Sequence, residues 1–210
     1  MPPATPVTRP APPLVVGITG ASGAAYAVRL VEVLLEAGRD VHLAISPSGQ
    51  AVIETELGRR IDLERFDPQA LLGVAPPTTG RLAHFHHKNL MAPIASGSFL
   101  TSGMVICPCS GSTLAAVAHS VGENLIHRAA EVHLKERRKL VVVPRETPLS
   151  LPQLKNMQAI HEAGAVVLPA SPGFYHGAST VGDLVDFVVA RICDQLGVDN
   201  TLVRRWGEPT

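Results

Sequence analysis

The run Leu14-Val-Val-Gly-Ile18 passes directly into Thr19-Gly20-Ala21-Ser22-Gly23 and then into the helical pattern of Ala24–Ala37, closed by Gly38. A short, wholly apolar run reads as a buried strand, and the apolar spacing after it reads as a helix packed upon it. The glycines between them allow a tight turn and a close approach of backbone to ligand. A helix starting at such a turn offers N–H groups to a phosphate. The spacing of Gly17, Gly20 and Gly23 is not the dinucleotide fingerprint G-x-G-x-x-G. A tight turn with no ligand is the alternative, less favoured reading of so short a motif.

Outward from this unit the same rhythm continues. Val41–Ile45 reads as a second strand, followed by a helix beginning near Ser48. Residues 57–82 are irregular, with room for a short helix at Leu71–Leu72. Leu82–His86 and, more strongly, Met104–Cys107 read as strands. Helices over Ser112–Ser120 and Asn124–Glu136 lead to the strand Leu140–Val143. The helix Pro152–Ala163, ended by Gly164, the strand Ala165–Leu168 and the amphipathic helix Val181–Leu196 complete the series. No internal repeat is visible. The predicted fold is therefore α/β, an open and mostly parallel sheet with helices on both faces. Ligands of such sheets bind beyond the carboxyl ends of the strands.

The 210 residues suit one domain, read as 14–210. Six prolines crowd Met1–Pro13, which reads as a disordered tail and lacks the apolar core of a signal peptide. Lys plus Arg equals Asp plus Glu at 18 each, so the chain has no broad basic field for nucleic acid or a membrane surface. Hydrophobic residues at 46% with aromatics at only 4% predict an aliphatic core. Three cysteines, of which Cys107 and Cys109 have no second pair, argue against a disulfide scaffold or zinc site and for the cytoplasm. Asn89–Gly122 contains no charged residue. Pro93, Pro108 and its Ser/Gly clusters break any membrane span, so this stretch reads as buried or as facing a ligand or another subunit.

The strand ends carry the chemistry. Cys107-Pro-Cys109-Ser110-Gly111-Ser112-Thr113 is a second hydroxyl-rich turn into a helix, and ordinary N-capping by Ser110 or Ser112 would also explain it. Two such turns in one sheet favour a phosphorylated ligand. After the next strand, Pro144-Arg145-Glu146-Thr147-Pro148 holds an adjacent Arg–Glu pair between prolines. The guanidinium fork suits phosphate, and the carboxylate beside it suits proton transfer. Elsewhere the pair would read as a surface salt bridge. Pro169-Ala-Ser-Pro172-Gly173-Phe174-Tyr175-His176 brings Tyr175 to the same side. His84, His86 and His87 resemble a metal cluster, but strand alternation would split them between two faces. Lys135-Glu-Arg-Arg-Lys139 reads mainly as a solvated cap at a helix C-terminus, and Cys109 as a small buried residue.

GITGASGAAYAVRL, ASGS, NLIHRAAEVHLKERRKLVVVPRETPLS, LPASPGFYH and DLVDFVVARI, in this order, closely resemble the flavin prenyltransferase (UbiX-like) family from Val16 to about Glu208. The resemblance implies a flavodoxin-like or Rossmann-like fold assembled as a dodecamer. It implies transfer of a dimethylallyl group from dimethylallyl phosphate to reduced FMN, the product serving UbiD-type decarboxylases. Gly20, Ala21, Ser22, Ser46, Ser110, Gly111, Ser112, Thr113 and Arg145 match its FMN-binding positions. Ser96, Lys135, Arg145, Tyr175 and Arg191 match its prenyl-phosphate pocket, with Arg128 nearby. Glu56 and Glu146 match acidic residues near the reacting centre. Trp206, with Gly207 and Glu208, matches a C-terminal segment, about 197–210, that closes over the site. Leu90 departs from the aromatic residue of some relatives, which bears on the shape of the prenyl pocket, and the pair Gly111-Ser112 varies among relatives.

The chemistry agrees with the borrowed roles. Breaking an allylic C–O bond leaves a phosphate whose charge must be stabilised where water is scarce. The seven Asp residues form no D-D-x-x-D magnesium motif. Lys135, Arg145, Arg191 and the Tyr175 hydroxyl would hold a monophosphate without a metal. Ring closure at C6 releases a proton that either phosphate or Glu146 can accept. Two alternatives stand beside this reading: an FMN-dependent cysteine decarboxylase of the same fold, whose catalytic His and Asn motif pattern is not found here, and a non-catalytic flavin carrier.

Overall fold

The computed structural model describes residues 11–207. Met1–Pro10, where most of the expected tail falls, and Glu208–Thr210 lie outside the described residues. Six strands form one sheet: β1 (Leu14–Ile18), β2 (Val41–Ile45), β3 (Leu82–His84), β4 (Gly103–Cys109), β5 (Leu140–Pro144) and β6 (Val166–Val167). Their order is β3-β2-β1-β4-β5-β6, and every neighbouring pair is parallel, where a mostly parallel sheet was expected. Seven α-helices connect them among the described residues: α1 (Ala24–Glu36), α2 (Pro47–Leu57), α3 (Pro68–Leu72), α4 (Gly111–Ala118), α5 (Leu125–Lys135), α6 (Leu151–Glu162) and α7 (Val181–Leu196). This is the flavodoxin-like, doubly wound architecture that the alternating pattern predicts.

Strand alternation divides the core in two. Leu14, Val16, Ile18, Val105, Cys107, Val141 and Val143 face one layer, in which α1 packs against α7. Val15, Met104, Ile106, Leu140 and Val142 face α4, α5 and α6 on the other side. β1, β4 and β5 are buried throughout, as continuous apolar runs covered on both faces must be. A β-carbon on Gly17 would lie 2.8 Å from Ile126 Cγ2, so glycine there lets α5 lie close on β1. No helix among the described residues is long and apolar enough to cross a membrane.

Three expectations need correction. Pro12 and Pro13, assigned to the tail, are anchored: their carbonyls accept hydrogen bonds from Ser102 Oγ (2.6 Å) and Ser102 N (2.9 Å). Proline lacks the N–H but keeps its acceptor. β3 stops at His84, because Asn89 N donates to His86 O (2.8 Å) and turns the chain. His86 and His87 therefore do not alternate across a strand; their rings lie 4.3 Å apart, while His84 stacks on Phe66. Arg138, assigned to a solvated cap, donates to Phe99 O at 2.7 Å and ties down the loop before β4.

Candidate functional site

The sheet order reverses between β1 and β4, and the chain opens there as doubly wound sheets do. Thr19, 1% exposed, bridges the two strand ends: its Oγ1 donates to Pro108 O (2.7 Å) and accepts from Ser110 N (2.8 Å). This bridge follows a register break in the β4–β5 ladder between Ile106 and Cys109. Two helices begin around it. Ser46 caps α2 by accepting from Gly49 N (3.0 Å), and Ser110 caps α4 by accepting from Thr113 N (3.3 Å). Ser110 Oγ also lies 3.1 Å from both Ser112 Oγ and Thr113 Oγ1. A β-carbon on Gly20 would collide with Ser48, so the first turn lies directly on the start of α2.

Between these N-termini lies a cleft of about 680 Å³. Gly20, Ser46, Ser48, Ser110, Ser112 and Thr113 form its hydroxyl-rich wall. Further lining, which sequence reading missed, comes from the α4–α5 connection and the start of α5 and includes His119, Glu123 and His127. Burial lowers the His127 pKa from its ordinary value, against the pull of Glu123 and Glu131, so the ring is neutral near pH 7. Of His119, Glu123 and His127, only His119 falls in the stretch Asn89–Gly122, whose lack of charge was the local signal for a ligand-facing surface. Cys109 lies close by, but burial pushes its thiol up to about 12 and makes it a poor nucleophile.

The first turn is built differently from the expectation of open amides. Gly23, at φ 119°, caps α1 without a side chain. Glu56 on α2 supplies the missing acceptor, taking hydrogen bonds from Gly23 N (3.0 Å) and Ala24 N (2.8 Å). The start of α1 is thus filled by a carboxylate, whereas at α2 and α4 the caps Ser46 and Ser110 each occupy one first-turn amide. Burial opposes the Glu56 charge, but bonds from Ser22, Gly23 and Ala24 and the nearby Arg145 outweigh it and hold the carboxyl below its ordinary range. Arg145 Nε donates to Ser22 O (3.0 Å), which joins the end of β5 to the same turn. Glu146 accepts from Thr147 N (3.2 Å) and from Gln153 Nε2 (3.2 Å). The Gln153 carbonyl is held in turn by Ser150 N (2.8 Å) in a capping box at the start of α6.

The other candidate residues form two separate groups. On the α5 flank, Ser96 Oγ meets Ser98 Oγ (2.9 Å), Arg128 Nε donates to Ala95 O (3.1 Å), and Lys135 pairs with Glu136. At the β6 side, the Tyr175 ring stands edge-on to Phe187 (5.7 Å) and Trp206 (5.4 Å), and Arg191 pairs with Asp194 (2.7 Å). Lys135 ends α5 before β5 begins, whereas Arg145 and Glu146 follow the end of β5. That strand has five residues, so the two positions start roughly 15 Å or more apart. α5 and α7 cover opposite faces of the sheet. One chain therefore does not gather Lys135, Arg145 and Arg191 into a single pocket.

A family model described as Flavoprotein matches residues 4–193. The flavin prenyltransferase UbiX of Pseudomonas aeruginosa is 48% identical over 196 residues, which cover 93% of this chain and 94% of that one. The crystal structure of AnUbiX (PadA1) in complex with FMN and dimethylallyl pyrophosphate superposes with a TM-score of 0.84 at 35% identity, over 96% of this chain and 100% of that one. The dodecameric FMN-dependent UbiX-like decarboxylase from Escherichia coli O157:H7 superposes with a TM-score of 0.81 at 38% identity, over 93% and 99%. Identity at this level over nearly the whole length decides the matter: the chain belongs to the UbiX-like family of flavin prenyltransferases.

Proposed function

We propose that this chain transfers the dimethylallyl group of dimethylallyl phosphate to N5 and C6 of reduced FMN, making prenylated FMN for UbiD-type decarboxylases. The observation that carries this reading is the cleft at the β1/β4 junction, where the starts of α2 and α4 and five hydroxyl side chains (Ser46, Ser48, Ser110, Ser112, Thr113) converge. Those donors fit FMN. First-turn amides and hydroxyls suit a phosphate monoester and a polyhydroxyl chain, and the volume is that of a small-ligand site. Reduced FMN, when bound, supplies the nucleophilic N5 and the ring carbon C6.

The chain's own residues have the remaining tasks. Gly20, Ala21 and Ser22 keep the first turn against the flavin, with Arg145 fixed to it through Ser22 O. As the allylic C–O bond breaks, charge grows on the departing phosphate; Lys135, Arg145, Arg191 and the Tyr175 hydroxyl stabilise it without a metal. Ser96 and Arg128 border Lys135 and complete that wall. Glu146, held by Gln153, stands as the acceptor or donor of protons, and Glu56 keeps the flavin-side turn in place. Because α5 and α7 lie on opposite faces of one sheet, the phosphate pocket is completed between copies of the chain. Exposed Leu90, Met91 and Leu100 on the α5 side, and Phe174, Tyr175 and Trp206 at the other edge, supply apolar surface for that contact in a dodecamer.

The test is anaerobic incubation of the purified assembly with reduced FMN and dimethylallyl phosphate, followed by mass measurement of the extracted flavin. A gain of one dimethylallyl unit with release of phosphate is the expected result. Bound but unmodified flavin would make the protein a carrier. Decarboxylation of a cysteinyl peptide by the oxidised holoprotein would favour the alternative chemistry of this fold.

A further inference from the structure

Asp194, on the last turn of α7, is a junction that no catalytic role above uses. Its side chain is 17% exposed, against 49% for Arg191 and 52% for Arg205. Oδ2 accepts from Arg191 Nη1 at 2.7 Å and from Arg205 Nη1 at 3.3 Å, while Oδ1 accepts from Arg205 Nη2 at 2.8 Å. Arg205 thus grips the carboxylate with a two-pronged fork and Arg191 with a single bond. Asn200 Nδ2 adds a weaker contact at 3.4 Å. Beside Arg205 in the chain, the Trp206 ring meets the Tyr175 ring 5.4 Å away at 85°. Tyr175, Arg191, Asp194, Arg204 and Trp206 line one small cleft of about 300 Å³. A side chain on the helix and a side chain on the C-terminal segment therefore share one carboxylate at the edge of a cationic cleft.

We propose that Asp194 is a positioning residue for the prenyl-phosphate site, aiming the Arg191 guanidinium and docking the C-terminal segment through Arg205, so that phosphate binding and docking of that segment are coupled. This rests on the reading of Arg191 as a phosphate ligand. Asp194 holds only Nη1 of Arg191, so a phosphate monoester can take other N–H groups of the guanidinium while Asp194 keeps it aimed. The Arg205 fork satisfies the rest of the carboxylate, so its largely buried charge stays paired. The same carboxylate, through Arg205, holds Trp206 beside Tyr175 at the cleft.

Trp206 is the single tryptophan of the chain, so its emission reports the segment directly. The experiment titrates dimethylallyl phosphate into the flavin-loaded assembly of wild type, Asp194→Asn, Arg205→Gln and the double variant, following Trp206 emission and then KM and kcat. Wild type should give a saturable emission change. Asp194→Asn should need about tenfold more ligand for the same change, as loss of one charge-assisted bond requires, and KM should rise by a similar factor with kcat much less affected. The double variant should be little worse than Asp194→Asn alone. Arg205→Gln removes the fork of a half-exposed side chain and serves where Asp194→Asn does not fold. Arg191→Gln separates the two ideas. If it leaves ligand affinity unchanged, the reading of Arg191 fails. If it weakens binding while Asp194→Asn and Arg205→Gln, or Arg205→Gln alone where the former does not fold, keep wild-type emission response and KM, the Asp194 proposal is overturned. Independent, fully additive effects in the double variant would overturn it as well.

Discussion

Lys135 and Arg145 stand at opposite ends of β5, one closing the helix that leads into the strand and the other opening the loop that leaves it. The separation makes a clear prediction if both serve one phosphate. Lys135→Ala and Arg145→Ala should each be inactive in prenyl transfer, yet assemblies formed from both chains together should recover activity. Random mixing leaves about a quarter of the sites with both native side chains when the two come from different subunits. Mixed assemblies as inactive as either parent would place the two residues in the same site of one chain, against the geometry described above.

Thr19 joins β1 to β4 with one buried hydroxyl. Thr19→Val keeps the shape but leaves Pro108 O and Ser110 N without this partner. A loss of about 1–3 kcal/mol in urea unfolding is expected, since buried polar groups lose their compensation. Flavin affinity should fall with it, because Ser110 begins the helix that lines the cleft. Unchanged stability together with unchanged flavin retention would remove Thr19 from the framework of the site.

Glu56 predicts a pH effect of known sign. Its native carboxyl is held below the ordinary value of 4.5, so the stabilisation it gives is complete above that value. It is lost as pH falls through the lower native value, because protonation removes the charge that strengthens the bonds from Gly23 and Ala24. The stability difference between wild type and Glu56→Gln should therefore shrink on acidification through that window. The difference is read from urea midpoints at neutral pH and at pH near 3; a gap that widens toward acid would reverse the assignment.

The proposed phosphate pocket predicts transfer without a metal. The proposed phosphate ligands are cationic or hydroxylic, and among the described residues no group of three His, Cys, Asp or Glu side chains is placed to hold a metal ion. Prenyl transfer should keep its rate after treatment with EDTA and removal of the chelate. A rate that falls and returns only with added magnesium would count against the cationic pocket.

Glu146 should matter for protons and little for binding. Glu146→Gln retains a partner for Thr147 N, so flavin and dimethylallyl phosphate should still bind. Turnover should fall by about 10²-fold or more, and its pH profile should lose one ionisation. Rapid turnover with the wild-type profile would leave proton transfer to the departing phosphate.

What the sequence alone determined was most of what neighbouring residues govern. Wholly apolar runs of strand length, alternating with helical spacings, were enough to name the parallel sheet and the side on which its main cleft lies. The motif Pro144–Pro148 and the turns at Gly20 and Ser110 were visible for the same reason. The tertiary structure decided what depends on partners far along the chain. Thr19 reaches Pro108 across 89 positions, and Glu56 reaches Ala24 across 32, filling a helix start that local reading had left open to a ligand. It also placed Lys135 on one face of the sheet and Arg191 on the other, although both match one pocket of the family. Periodicity and turn chemistry are written residue by residue, whereas a contact across the sheet exists only once the strands have chosen their order.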